Sequence, residues 1–289
     1  MQVSKMEEIF KNLPIEVKDI RALTGGDTNE AYKILGQDEL YFLLIHPGGS
    51  EGFFDGEAKG LELFNENNIA APRLIDKGLV DDKAYLLISY LEEGPVGSMG
   101  DLARLMKELH QIESPNGKFG FDFPYESDHI KFTNAYVDTW TELFIGQRMD
   151  VLSQSLIKKG LWQNQDKLLY HNIRRIMERV LGERESQPHL LHGDFYSGNY
   201  MFLEDKSPAI FDPNPLYGDY EFDIGISMAF APLGRDFYNE YFKTIKRDKN
   251  LPLRLEFYRL YFYMIHLNKF GKVYKNLVDE SIYKILKSS

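Results

Sequence analysis

Apolar residues change their spacing near residue 100. Before it, three short runs have strand character: residues 16–23 (EVKDIRAL), 29–35 (NEAYKIL) and 39–45 (ELYFLLI). The turn-forming TGGDT and a short GQD separate them, which predicts an antiparallel meander. The next segment, GFFDGEAKGLELFNENN, places Phe54, Ala58, Leu61 and Phe64 at helical spacing. APRLIDKGLV and AYLLISYL (84–91) then return to strand character. A short helix is expected over residues 4–12, stopped before Pro14.

Residues 92–100 (EEGPVGSMG) hold three glycines and a proline, the composition of a hinge. Beyond it the spacing is helical. Leu102, Leu105, Met106 and Leu109 form one face, Trp140, Leu143 and Phe144 another, and Leu169, Ile173, Ile176, Met177 and Val180 a third. The stretch 254–270 (RLEFYRLYFYMIHLNKF) is apolar enough to predict a central, buried helix. The expected fold is α+β in two lobes: a small antiparallel-sheet N-terminal lobe over 1–91, a hinge over 92–100, and a larger, mostly helical lobe over 101–289.

Composition changes this picture in three places. The 20 Phe and 18 Tyr among 289 residues predict an aromatic core. The absence of cysteine excludes disulfides, thiolate metal sites and cysteine nucleophiles. The net charge of −10 argues against a nucleic-acid surface, which needs a basic face. The N-terminal MQVSKMEEIF lacks the apolar core of a signal peptide, and no run approaches the ~20 apolar residues of a membrane span. No membrane association and a cytoplasmic location are therefore expected.

Candidate chemistry concentrates in LLHGDFYSGNYMFLEDKSPAIFDPNP, residues 190–215. NYMFL and SPAIF are two strand-like runs joined by a turn, so a hairpin is predicted. Asn199 begins the first run and Asp212 follows the second, which brings the two to the open end, about 5 Å apart across strands. An amide oxygen and a carboxylate are hard ligands suited to Mg²⁺. Asp194 precedes Asn199 by five residues, in a loop between Gly193 and Gly198. Such a set suits phosphoryl transfer, with one Asp accepting the proton of the attacking hydroxyl while Asn and a second Asp hold the metal.

These residues carry a resemblance. LLHGDFYSGNYMF…PAIFDPNPLYGDYEFDIG resembles the catalytic segment of the aminoglycoside phosphotransferase and choline kinase superfamily, relatives of protein kinases. Within it, DPNPLYGDYEFDIG and HLNKFG look most like the fructosamine (ketosamine) kinase family. LTGGDTNEAYKI is similar to that family's nucleotide loop, GEAKGLELF to its first helix, and NAYVDTWTELFIGQRMD and LRLEFYRLYFYMIHLNKFG to later helices. The resemblance implies a protein-kinase-like fold that uses ATP and Mg²⁺ to phosphorylate a sugar hydroxyl of a small substrate, most simply a glycated amine. It makes Asp194 the catalytic base, and Asn199 and Asp212 the metal ligands. Gly25 and Gly26 would approach the phosphates, and the backbone of Ser89, Tyr90 and Leu91 the adenine. His192 and Asp223 would brace the catalytic loop. Phe195 and Tyr196 stand where the family has Leu-Trp, and either stack on a sugar-like substrate or pack the loop. Asp219 and Glu221 are either attractors for an amine or solvated surface charges.

One position departs from the pattern. The family's third strand reads roughly Phe-Val-Lys-Val-Asn, whereas here Phe42-Leu43-Leu44-Ile45-His46 puts Leu44 in place of the lysine that contacts the phosphates. Glu57 is the candidate for the helix glutamate that pairs with that lysine. Lys33, two residues from Ala31 and so on the same strand face, is the candidate substitute cation. Two alternatives follow: a kinase for another small alcohol or an aminoglycoside, or a pseudokinase that binds without transferring phosphate.

Overall fold

The computed structural model describes residues 8–23, 29–245 and 247–288. The chain divides into two compact units, Met1–Val96 with Met201–Phe211, and Gly97–Tyr200 with Asp212–Ser289.

The first unit is built on a five-stranded antiparallel sheet. Its strands are β1 (Asp19–Leu23), β2 (Glu30–Leu35), β3 (Leu40–Pro47), β4 (Leu74–Val80) and β5 (Lys83–Ser89), in spatial order β1-β2-β3-β5-β4. The expected meander is β1 to β3. The centre of the sheet explains why ELYFLLI is apolar without alternation. Leu43 and Ile45 point to one face, where they pack with Ile9, Leu13, Ile34, Tyr85 and Leu87. Phe42 and Leu44 point to the other, against Phe54, Ala58, Leu61, Leu86 and Ile88. Ala58 and Leu61 belong to helix α1 (Asp55–Glu66), so the central strand is covered on both sides and period two is masked.

The hairpin read at 199–212 forms from β9 (Tyr200–Phe202) and β10 (Pro208–Ile210). Most of it groups with the first unit rather than with the rest of 101–289. Backbone hydrogen bonds account for this: Gly94 N donates to Phe202 O at 2.7 Å, and Ile210 N to Ala70 O at 2.9 Å. The approach is so close that a Cβ on Gly94 would lie 2.3 Å from the Leu203 carbonyl oxygen. Glycine at that hinge position answers a steric demand.

The second unit is mainly helical. Its principal helices are α2 (Met99–Leu109), α3 (Asp150–Lys158), α4 (Asn164–Gly182), α5 (Glu221–Ser227), α6 (Arg235–Tyr241), α7 (Leu251–Phe270) and α8 (Lys275–Ser288). The helix expected around Trp140 runs as a π-helical segment, Glu142–Met149, that continues into α3. Helix α7 is buried along most of its length, as its composition predicts. Its Tyr258 and Tyr261 join Trp140, Phe144 and Phe222 in an aromatic core with ring centroids 5.0–6.2 Å apart. Three short strand pairs lie among the described residues, one being the β9–β10 hairpin described above. The others are β6 (Tyr125–Glu126) with β7 (Lys131–Phe132), and β8 (His189–Leu191) with β11 (Leu216–Gly218). Among the described residues, no helix is long and apolar enough to cross a membrane.

The tight approach at the hinge makes a prediction. Gly94→Ala should lower stability by about 1–3 kcal/mol, the cost of forcing backbone apart in a packed region. An unchanged urea midpoint would show that the hinge and the hairpin do not need this contact.

Candidate active site

The site in the second unit starts from the β8–β11 pair. Leu190 and Leu191 are fully buried, and Leu191 pairs with Leu216, so the chain leaves β8 at His192 in a fixed direction. Asn214 N donates to His192 O at 2.8 Å. Gly193 then adopts φ +81°, and any Cβ there would fall 1.7 Å from Asn214 O. Only glycine allows that turn and that approach.

The backbone amides of the turn are satisfied by one carboxylate. Asp223, in the first turn of α5 and fully buried, accepts from His192 N at 2.8 Å and Gly193 N at 2.9 Å. His110, which caps the C-terminus of α2, lies with Nε2 3.0 Å from the same carboxylate and Nδ1 2.6 Å from the Tyr241 hydroxyl. A neutral ring donating from Nε2 and accepting at Nδ1 satisfies both contacts. His192 is buried, and its Nδ1 accepts from Asp194 N at 3.3 Å. The ring therefore orients the loop from within.

This frame presents Asp194. Asn199 donates its side-chain amide to Asp194 O at 2.8 Å and to Asp194 Oδ2 at 3.2 Å. Asp212 stands two residues beyond β10 with φ +57°, a conformation that Asp tolerates better than most side chains. Removal of water around Asp194, followed by the charge of Asp212, pushes the Asp194 carboxyl up to about 8. Asp212 is itself accessible to solvent, but crowding by protein on its other sides raises its carboxyl, with Lys269 opposing the rise. Tyr125 is pushed up to about 12, by burial first and then by Asp194.

Burial raises both carboxyls, and the charge of Asp212 adds to the rise at Asp194. The Asn199 carbonyl oxygen and the Asp212 carboxylate accept no hydrogen bond among the described residues, and both are hard oxygen donors that fit Mg²⁺. The described residues include no cluster of three or more His, Asp and Glu side chains suited to a metal, so the candidate ligands stay Asn199 and Asp212.

The remaining sequence candidates of this unit separate clearly. Phe195 is fully buried, 5.8 Å from the Phe237 ring and 5.9 Å from His192, so it packs the loop and is not a substrate platform. Tyr196 is partly exposed, with its ring 5.8 Å from Phe262. Asp219 and Glu221 are neither solvated charges nor available to an amine, since they are 1% and 2% exposed. Arg184 Nε donates to Asp219 at 2.8 Å, and Arg254 grips Glu221 through Nε and Nη2 at 2.6 and 2.9 Å. Those arginines stand 33 to 35 residues away in sequence, and no local pattern announces the pairing.

In the first unit, Gly25 and Gly26 lie outside the described residues. Ser89 N donates to Arg73 O at 2.9 Å and Tyr90 N to Leu40 O at 3.0 Å, so two of the three amides expected near the adenine are already engaged. The Leu91 amide has no hydrogen bond among the described residues and is the one able to meet a base. Glu57 lies in the first turn of α1. Ala31 pairs with Leu44 and Lys33 with Phe42, so Lys33 does share the face of Leu44. Its ammonium, however, sits 4.0 Å over the Tyr90 ring and 3.8 Å from Glu92 Oε1. That places the substitute cation at the hinge, and not beside Leu44 where the phosphate-contacting lysine was expected.

Four residues escaped the sequence reading: His110, Tyr125, Arg148 and Lys269. His110 ends the apolar face of α2, and a histidine following such a face was the available signal. Arg148 is buried, stacked 4.5 Å from the Phe132 ring centre and bonded to Asn134. It reads as one more charge in a helix until its burial is known.

The fold is that of kinase-like phosphotransferases. The aminoglycoside phosphotransferase APH(4)-Ia superimposes with a TM-score of 0.70 over 99% of each chain at 14% identity, a likeness of fold. A crystal structure described as "putative fructosamine-3-kinase" from Haemophilus somnus matches with a TM-score of 0.85 at 26% identity, over 98% of this chain and 96% of that one. A probable ketoamine kinase of Staphylococcus aureus is 44% identical over 98% of this chain and 99% of its own length. The Arabidopsis thaliana chloroplastic protein-ribulosamine 3-kinase is 28% identical over 90% and 80%. The profile of the fructosamine kinase family matches residues 2–288; the chain belongs to the fructosamine kinase family.

The loop frame is testable apart from the chemistry. His110→Ala should lower kcat by roughly one to two orders of magnitude, because small misplacement of a reacting group is costly, with the apparent KM for ATP little changed. An unaltered kcat would mean that Asp223 holds the loop without His110.

Proposed function

We propose that this protein transfers the γ-phosphoryl group of ATP to a sugar hydroxyl of a ketosamine, the glycated form of an amine. Membership of the fructosamine kinase family supports the reaction class, and the ketoamine and ribulosamine kinases among its relatives support the acceptor class. The observation that carries the assignment of roles is Asp194, held beside Asn199 and Asp212 on a loop fixed from behind by Asp223.

Asp194 is the group placed to accept the proton of the attacking hydroxyl as the oxygen–phosphorus bond forms. Its pKa, raised to about 8, makes it a stronger base than an exposed carboxylate once its proton is lost. Asn199 fixes its orientation through two hydrogen bonds. Asn199 and Asp212 would hold Mg²⁺, which when bound would neutralise charge on the phosphoryl oxygens. Tyr125, electrostatically coupled to Asp194 and Asp212, stays a neutral phenol that can donate a hydrogen bond near the acceptor.

Leu44 is the observation that favours a weaker nucleotide grip. Its face is apolar because it packs toward α1 with Leu86 and Ala58, and no charge-assisted bond can come from that position. The acid–amide–acid set is nevertheless complete, so transfer is the reading and not binding alone.

Asp194→Asn should fold with a thermal midpoint equal to or above wild type, since it removes a carboxyl whose ionisation its surroundings oppose. Its kcat should fall by about 10²–10⁴; turnover near wild type would remove Asp194 from its role. Leu44→Lys should lower the apparent KM for ATP by about tenfold, the worth of one charge-assisted hydrogen bond. An unchanged KM would show that this position does not meet the phosphates.

A further inference from the structure

We infer that His46 is a positioning residue for the phosphates of ATP: through Asn29 it fixes the start of β2, next to the strand position where Leu44 supplies no charge. The inference rests on the ATP reading above and deepens it.

The sheet sets a polar ring where apolar packing is expected. Phe42, Leu44 and His46 are spaced by two along β3 and share a face. Phe54, Ala58 and Leu61 pack against that face, the last two from α1. His46 is 4% exposed and is the one buried polar side chain of the first unit among the described residues. A polar group taken out of water is costly unless it is hydrogen-bonded, so this ring needs a partner.

The partner lies across the strands. Glu30 pairs with Ile45 and Ala31 with Leu44, so the register, carried one residue further, sets Asn29 opposite His46. A ring protonated at Nδ1 donates to Asn29 Oδ1 at 2.9 Å. The flat of the ring lies parallel to Phe53, with centroids 3.9 Å apart and planes 2° apart. Phe53 meets Phe54 edge-on at 5.0 Å, and Phe54 immediately precedes α1. His46 therefore joins Asn29, which directly follows TGGDT in the chain, to the approach to α1.

The functional weight of this join comes from Leu44. A lysine there would hold phosphate oxygens by a charge-assisted bond. Leucine cannot, so the phosphates depend more on the backbone that leads into β2. Asn29 is the first described residue of that backbone, and His46 holds its side chain. The two contacts of the ring are separable by chemistry. The stack on Phe53 needs an aromatic ring, whereas the bond to Asn29 needs a donor at the place of Nδ1. Asparagine carries its amide nitrogen the same number of bonds from the backbone as that atom, and phenylalanine carries the ring without it.

The test is the dissociation constant for Mg-ATP, measured by isothermal titration on the full-length protein without acceptor, with the thermal midpoint of each variant alongside. His46→Phe should weaken Mg-ATP by about tenfold, the upper range for one neutral hydrogen bond. His46→Asn should stay within about threefold of wild type, even where loss of the stack lowers its midpoint. Asn29→Ala should weaken Mg-ATP as much as His46→Phe, and the double variant no more than either. Wild-type affinity in His46→Phe or in Asn29→Ala overturns the inference. So does His46→Asn binding as poorly as His46→Phe, which would leave the ring a packing role alone, and so do additive losses in the double variant. Wild type that binds no Mg-ATP would instead remove the ATP reading, and this inference with it.

Discussion

The loop that presents Asp194 depends on the carboxylate of Asp223. It accepts two consecutive backbone amides, from His192 and Gly193, and contacts the His110 ring. Buried amides without a partner are costly, so the turn at Gly193 is tolerable only while Asp223 is there. Asp194 follows immediately, and its direction is inherited from that turn. The helix that carries Asp223 is itself fixed by Glu221, clamped in the Arg254 fork. A surface carboxylate could not be held this way; burial makes each of these bonds hard to lose.

The same unit also holds arrangements that oppose stability. The charge of Asp212 makes the ionisation of Asp194 harder, and Asp212 adopts a left-handed backbone. Local strain and repulsion of this kind persist where the surrounding structure over-determines them. Here the Asp194 backbone is held by Asn199 and by the turn that Asp223 braces.

Much of this was legible in the sequence, for reasons that particular residues make clear. The meander, the α1 face of Ala58 and Leu61 and the buried α7 follow from periodicity, a local property. The hairpin between Asn199 and Asp212 was legible because its two runs adjoin. What could not be read depends on distant partners. Asp219 and Glu221 looked like surface acids because Arg184 and Arg254 lie more than thirty residues away. Phe195 looked like a possible sugar platform until Phe237 covered it. The β8–β11 pair, which starts the catalytic loop, joins segments too short to announce themselves as strands. Lys33 was placed on the correct face from strand alternation, but only its contact with Tyr90 shows that its charge is spent at the hinge. The central strand adds a further lesson: because both of its faces are covered, an apolar residue at Leu44 is structurally unremarked, and its consequence lies in chemistry alone.

The central claim is that this chain moves phosphate to a glycated amine despite Leu44. The direct measurement is ³¹P NMR of wild-type protein with Mg-ATP and a ketosamine. The account predicts a new sugar phosphate ester resonance that grows as the γ-phosphate signal of ATP declines. Nucleotide binding without any such ester, across ketosamine acceptors, would contradict it and leave a binding protein in its place.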